Sequence, residues 1–223
     1  CSRDWSSDVC SSDLAATLQG WGGPRLLESY DRERRPAALR ITNEGARNYL
    51  QFLKIPVGAE IAEDSPRGAA LRQRITDTIY GERFDREYDM QGATLGYRYE
   101  GSPIVVPDGT PEPPDESMHY LPTARPGHRA PHAWLADGTS TLDLFGREFT
   151  LLRTGPSPAA ADSLVAAAKQ QGVPLVVRDV GDAAIARLYE RRLVLVRPDG
   201  HVAWRGDTDP ADSAAVMARV RGA

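Results

Sequence analysis

From Phe149 to Val220 the chain alternates between two kinds of short element, and this alternation limits the fold more than any other feature. Phe149–Leu152, Leu175–Arg178, Leu193–Val196 and His201–Trp204 are apolar runs of strand length. Pro158–Gln171, Asp182–Tyr189 and Pro210–Val220 carry helical spacing instead. Leu164, Ala167 and Ala168 share one side of the first helix, with Gly172 as its stop. Ala214, Val216, Met217 and Val220 share one side of the last, with Asp209 as its expected cap. Pro198-Asp199-Gly200 reads as the turn of a hairpin. The resulting order, β-α-β-α-β-β-α, calls for a sheet with helices on both faces, since crossovers between neighbouring strands are right-handed.

That order is the thioredoxin-like one, so redox chemistry has to be tested first. Such sites place a cysteine at the start of the helix after the first strand and a cis-proline before the third. The first position here reads Arg153 to Ser163 without a cysteine, and the second reads Tyr189 to Leu195 without a proline. The domain is therefore expected to be redox-inactive, with Ser157 and Ser163 as helix caps rather than nucleophiles.

Residues 15–91 read as helical. Gly20 to Pro36 opens with glycines, but neither phosphate-loop spacing is present and no strand precedes it, so a turn into a helix starting at Pro24 is expected. Leu26, Leu27 and Tyr30 are placed on one side of it, with Asp31, Arg32, Glu33 and Arg34 in solvent. A separate helix is expected from Pro36 to Leu53, with Ile41, Gly45, Tyr49 and Phe52 recurring on one face. Ser65-Pro66 marks a third start, followed by Leu71, Ile75 and Ile79 and a stop at Gly81. Residues 92–126, with extended runs at Leu95–Tyr99 and Ile104–Val106 and a proline-rich stretch beyond, are expected to be an extended linker. Residues 127–223 form the thioredoxin-like domain.

No metal site is expected. His128 and His132 are four apart, but Pro126 and Pro131 argue against a helix there, and His119 and His201 have no sequence partner. Asp108, Asp115, Asp137 and Asp143 sit in turn contexts. The net charge of -4 gives no reason to bind nucleic acid or an anionic membrane, and no apolar run reaches the ~20 residues that span a bilayer.

The first fourteen residues read differently. They hold both cysteines of the chain, Cys1 and Cys10, and Asp4 to Leu14 resembles, codon for codon, the translation of a short-read sequencing adaptor. Residues 1–14 are expected to be a disordered, artefactual tail with Trp5 unburied. The chain proper would then start near Ala15, in the middle of a helix, as a fragment.

Five stretches stand in order after that tail: Gly20–Pro36, Leu95–Gly109, Arg125–Gly138, Leu142–Leu152 and Leu193–Gly206. Together they closely resemble the C-terminal half of FAD-dependent aromatic hydroxylases, the single-component flavoprotein monooxygenases of the phenol and hydroxyphenylpropionate hydroxylase type. The resemblance implies a parent enzyme that hydroxylates a phenolic substrate with FAD, NAD(P)H and O2, cytoplasmic and a homodimer. It implies a fold of helices from the end of the FAD-binding domain followed by the thioredoxin-like α/β domain. The family's FAD-binding motifs lie upstream of Ala15, so no catalytic, cofactor-binding or metal residue carries over, and the fragment alone is expected to be inactive. The alternative reading is a free-standing, redox-inactive thioredoxin-like binding module.

Overall fold

A computed structural model describes residues 5–223, with side chains from Ser12 onward. The chain divides into two compact units: residues 1–37, 96–114 and 121–223 form the first, and residues 38–95 and 115–120 the second. Neither unit follows the expected boundaries at 91 and 126, because helical and loop segments far from residue 127 pack into the first unit.

The sheet of the first unit has the expected connectivity. Strand β1 (Phe149–Thr154) is parallel to β2 (Leu175–Val180) and antiparallel to β3 (Leu193–Val196), and β4 (Val202–Gly206) completes the order β2-β1-β3-β4. Leu151 pairs with Val177 on one side and Leu195 on the other. Side chains alternate across β1 and β3 as the pleat requires. Leu151, Leu193 and Leu195 enter one core with Leu164 and Ala168 of α5 (Asp162–Gln170) and Val216, Met217 and Val220 of α7 (Ser213–Val220). Leu152, Val194 and Val196 enter the other core with Ile185 and Tyr189 of α6 (Ala183–Tyr189). Gly200, at φ 81°, closes the β3–β4 turn with its amide on the Arg197 carbonyl at 2.9 Å.

Two caps differ from expectation. The cap of α7 is Asp212, which accepts from the Ala215 amide at 2.8 Å. Asp209 instead reaches α5, accepting from the Ser163 amide at 3.0 Å and the Leu164 amide at 3.3 Å. Neither Ser157 nor Ser163 caps that helix.

Helix α1 (Trp5–Leu18) runs through residue 14 without a break, and Asp13 and Ala16 are buried. This corrects the expected disordered tail from Trp5 onward: extending a nucleated helix costs far less than starting one. Residues 1–4, the two cysteines and the side chain of Trp5 lie outside the described side chains.

Helix α2 (Pro24–Phe52) replaces the two helices expected on either side of Pro36. The proline frees the Arg32 carbonyl, and Arg32 and Pro36 are both on the exposed side, open to solvent. The buried stripe of the first half is Leu26, Ser29, Glu33 and Ala37, while Leu27 and Tyr30 are exposed. Glu33, expected in solvent, is 1% exposed. In the second unit, Ile41, Tyr49 and Phe52 are exposed rather than inward, and Asn48 is the buried member of that stretch. Helix α3 (Pro66–Gly81) starts as expected, with Ser65 Oγ accepting from the Gly68 amide at 3.2 Å.

The expected linker is largely packed structure. Gln91–Leu95 forms the short helix α4, and Arg98 makes only a single bridge, to His128. Tyr99, Ser102, Ile104, Val105 and Ala124 are buried. The Val106 amide donates to the Ala203 carbonyl at 2.8 Å and the Gly127 amide to Val202 at 2.8 Å, so this segment covers the β4 edge.

Candidate functional site

The position where a thioredoxin-like domain would hold its nucleophile is closed by hydrogen bonds. The Thr154 amide and hydroxyl donate to the Arg192 and Arg191 carbonyls at 2.9 and 2.6 Å, and Arg192 Nη2 donates to the Ser157 carbonyl at 3.0 Å. Asp162 and Asp209 both stand at the start of α5. Two carboxylates there oppose a further anion, so Ser163 has no local means of ionising.

The glycine-rich entry to α2 is likewise spoken for. The Gly22 amide donates to the Ala16 carbonyl, Gly23 to Arg221 at 2.7 Å, and Arg25 to Gly222 at 2.9 Å. A Cβ on Gly23 would lie 2.3 Å from the Gly222 oxygen. These amides face backbone, and no phosphate can reach them, so the residues present do not fit the pyrophosphate of a flavin dinucleotide.

The chemically dense part of the described chain is a buried ionic cluster between α2 and the β3–β4 hairpin. Arg197 Nη1 and Nη2 donate to Glu33 Oε1 and Oε2 at 2.7 and 3.0 Å, a bidentate pair. Arg197 Nη2 also lies 3.0 Å from Asp199 Oδ2. Ser102 Oγ donates to Glu33 Oε1 at 2.5 Å. His201, fully buried, stacks on the Tyr99 ring at 4.0 Å between centroids, with Tyr97 at 5.2 Å. Its Nδ1 is 3.5 Å from Asp199 Oδ2. Arg34 Nη1 donates to the Tyr99 hydroxyl at 3.1 Å. Burial opposes ionisation of Asp199, but Arg197 and His201 outweigh it and hold its carboxyl well below the usual range. The reverse holds at Asp13, on α1. Burial first, then Asp199 and Glu33, push its carboxyl up to about 7 against the pull of Arg197.

Two smaller clusters fasten the 96–126 segment. Arg205, on β4, donates to Asp108 at 2.6 Å and Glu190 at 2.9 Å, and despite partial burial Thr110 and Arg205 bring Asp108 down to about 2. Glu112 gathers Arg98, Arg125 and His128. Burial, reinforced by Arg98 and Arg125, lowers His128 to about 4 against Glu112.

The other residues weighed from sequence serve local structure. His132 Nδ1 is 2.8 Å from Ser140 Oγ, and His119 Nδ1 is 3.0 Å from Glu116. Asp137 accepts from the Thr139 amide at 2.9 Å, Asp143 from Ser140 at 3.2 Å, and Asp115 pairs with Arg40. Among the described residues no group of three His, Cys, Asp or Glu side chains could hold a metal, and no helix is long and apolar enough to cross a membrane. Sequence reasoning missed the Glu33 cluster. Its only outward sign is that Glu33 falls in register with Leu26 and Ser29.

Residues 123–223 match the family described as aromatic-ring hydroxylase, C-terminal. The FAD-dependent monooxygenase opdD of Penicillium oxalicum is 35% identical over 204 residues, covering 87% of this chain and 38% of the relative. Phenol 2-monooxygenase of Pseudomonas sp. is 31% identical over 233 residues, covering 89% and 38%. Among solved structures, the rebeccamycin biosynthetic enzyme RebC with reduced flavin matches with a TM-score of 0.86 at 41% identity, covering 98% of this chain and 40% of that one. The chain spans about two fifths of the length of these relatives. Helices, sheet and covering segment are thus shared with them as one continuous region, and residues 123–223 carry the C-terminal domain of the aromatic-ring hydroxylases.

Proposed function

We propose that this chain acts as the C-terminal part of an FAD-dependent monooxygenase that hydroxylates a phenolic or related aromatic substrate with NAD(P)H and O2. The observation that carries the reading is the extent of the likeness: it covers nearly the whole chain, α1 to α7, and not only the domain matched by the family. In such an enzyme FAD, reduced by the nicotinamide, activates O2 for transfer to the ring. The glycine-rich entry to α2 offers no phosphate cradle, so on this reading the role of the chain is structural. It holds the first half of α2 against the thioredoxin-like domain through the Arg197 cluster and the C-terminal turn. The proposal includes a cytoplasmic setting, where reduced nicotinamide is at hand, and a homodimeric enzyme.

The test uses the purified chain and the same chain joined in frame behind the N-terminal part of a flavin-binding relative. The chain alone is expected to show no flavin absorbance after incubation with FAD and gel filtration, and no oxidation of NADH or NADPH. The joined protein is expected to bind FAD and to hydroxylate phenol-type substrates in an O2-dependent way. Flavin retained by the chain alone would place a flavin site within it. A joined protein that binds FAD but hydroxylates no aromatic compound would overturn the activity.

A further inference from the structure

Asn48, on the second half of α2, is a buried amide with too few partners. It is 5% exposed. Its Nδ2 donates to the thioether sulfur of Met90 at 3.3 Å, and its Oδ1 has no hydrogen-bond partner among the described residues. A thioether is a weak acceptor, and a buried amide left unsatisfied is costly. One turn earlier on the same helix, Glu44 accepts from Arg86 Nη2 at 2.8 Å and from Ser117 Oγ at 2.6 Å. The Nε of Arg86 is also buried without an acceptor. Along this part of α2, two buried donors, Asn48 Nδ2 and Arg86 Nε, have one weak acceptor between them.

That acceptor is held in place and still reaches solvent. The Met90 carbonyl accepts from the Thr94 amide and hydroxyl, both at 3.0 Å, and the Ala93 amide donates to the Ser117 carbonyl at 2.9 Å. These bonds fix the backbone on which the Met90 side chain stands, while the residue itself is only half-buried. The other two methionines differ. Met217 is fully buried in the core beside the sheet. Met118 is half-buried, but the donor near its sulfur is Arg83 Nη2 at 3.9 Å, which is already paired with Asp85 at 3.0 Å.

We propose that Met90 is a methionine-oxidation site whose sulfoxide oxygen is received by the buried Asn48 amide, so that oxidation by a peroxide tightens the contact between α2 and α4 instead of loosening it. Sulfur has two lone pairs; Asn48 engages one and leaves the other to react. The sulfur attacks one oxygen of hydrogen peroxide, and the S–O bond forms as the O–O bond breaks. The departing hydroxide takes the proton from the transferred oxygen, which gives the sulfoxide and water. Sulfur loses two electrons and the peroxide gains them. Rotation about the Cγ–Sδ bond then presents the new oxygen to Asn48 Nδ2. Sulfoxide formation ordinarily disrupts packing, because it turns a flexible apolar side chain into a polar one. At Met90 the polar atom arrives beside a donor that lacks a strong acceptor.

The test uses the full chain carrying Cys1→Ser, Cys10→Ser and Met118→Leu, which leaves Met90 and the buried Met217 as its only sulfur atoms. After treatment of the folded chain with dilute hydrogen peroxide, peptide mass spectrometry is expected to find the sulfoxide at Met90 and none at Met217. The oxidised protein should keep or raise its thermal midpoint. With Asn48→Leu added, the same oxidation should lower the midpoint by about 2–4 °C, the response of a chain this size to a polar group forced into an apolar contact. A Met90 that resists the peroxide, or the same thermal response in both proteins, overturns the proposal. If Asn48→Leu does not fold, Met90→Gln and Met90→Leu take its place. Glutamine carries a carbonyl oxygen that Asn48 can reach, so Met90→Gln is expected to be the more stable of the two. A more stable Met90→Leu rejects the role of Asn48.

Discussion

Glu33 shows what one residue can hide. In an Asp-Arg-Glu-Arg-Arg run on an expected helix, each charge reads as solvated, and exposed pairs of this kind contribute under ~1 kcal/mol. Yet Glu33 is buried to 1% exposure against Arg197, 164 residues away in sequence. A buried pair is costly to break from one side, because the partner keeps its charge without compensation. Arg197→Met should therefore cost about 3–5 kcal/mol in chemical denaturation, since it leaves Glu33 and Asp199 facing each other. Glu33→Gln should cost less, about 1–3 kcal/mol, because Asp199 keeps the guanidinium and the amide can still hydrogen-bond. Equal costs for the two variants would show that Arg197 is not the hub. Helical spacing does contain the clue: Leu26, Ser29 and Glu33 lie three and four apart on one face. Nothing local says that this face meets an arginine.

At the scale of elements, the strands and the third, sixth and last helices were legible because their spacing is local chemistry. Leu193–Val196 was expected and is observed with the same bounds. What local chemistry does not reveal is who caps whom. Asp209 precedes α7 and has the right side chain to cap it, but the fold carries it to the start of α5, 45 and 46 residues earlier. Asp209→Ala should destabilise the chain by about 1 kcal/mol, the usual worth of an N-cap. The loss should appear as faster amide exchange at Ser163 and Leu164, with Ala215 unchanged. Faster exchange at Ala215 instead would return Asp209 to α7. The end of α7 behaves similarly. Gly222, at φ 82°, has no room for a Cβ, which would sit 2.4 Å from the Leu26 amide. Through that approach the Arg221 and Gly222 carbonyls satisfy the Gly23 and Arg25 amides at the start of α2.

Considered as a whole, the first unit is larger than the family domain it contains. Trp21 meets Phe149 edge-on at 6.0 Å, and Ala16, Trp21, Leu26 and Ile104 belong to the same core as Leu164, Leu195 and Met217. Residues 123–223 expressed alone should consequently expose this apolar surface, bind a hydrophobic dye such as ANS and unfold at a lower temperature than the full chain. A 123–223 domain as stable as the full chain and silent to the dye would contradict this packing.

By itself the sequence determined the strand and helix pattern of residues 149–220, their order, and the absence of a cysteine at the expected redox position. Each is set by neighbours within a few residues, through side-chain periodicity, turn residues and residue type. The tertiary structure alone decided that α2 runs unbroken past Pro36, that Tyr99, Ser102, Ile104, Val105 and Ala124 are buried rather than part of a solvated linker, and that Glu33, Arg197, Asp199 and His201 share one buried site. Those outcomes depend on desolvation and on contacts between segments more than sixty residues apart, which no local window contains.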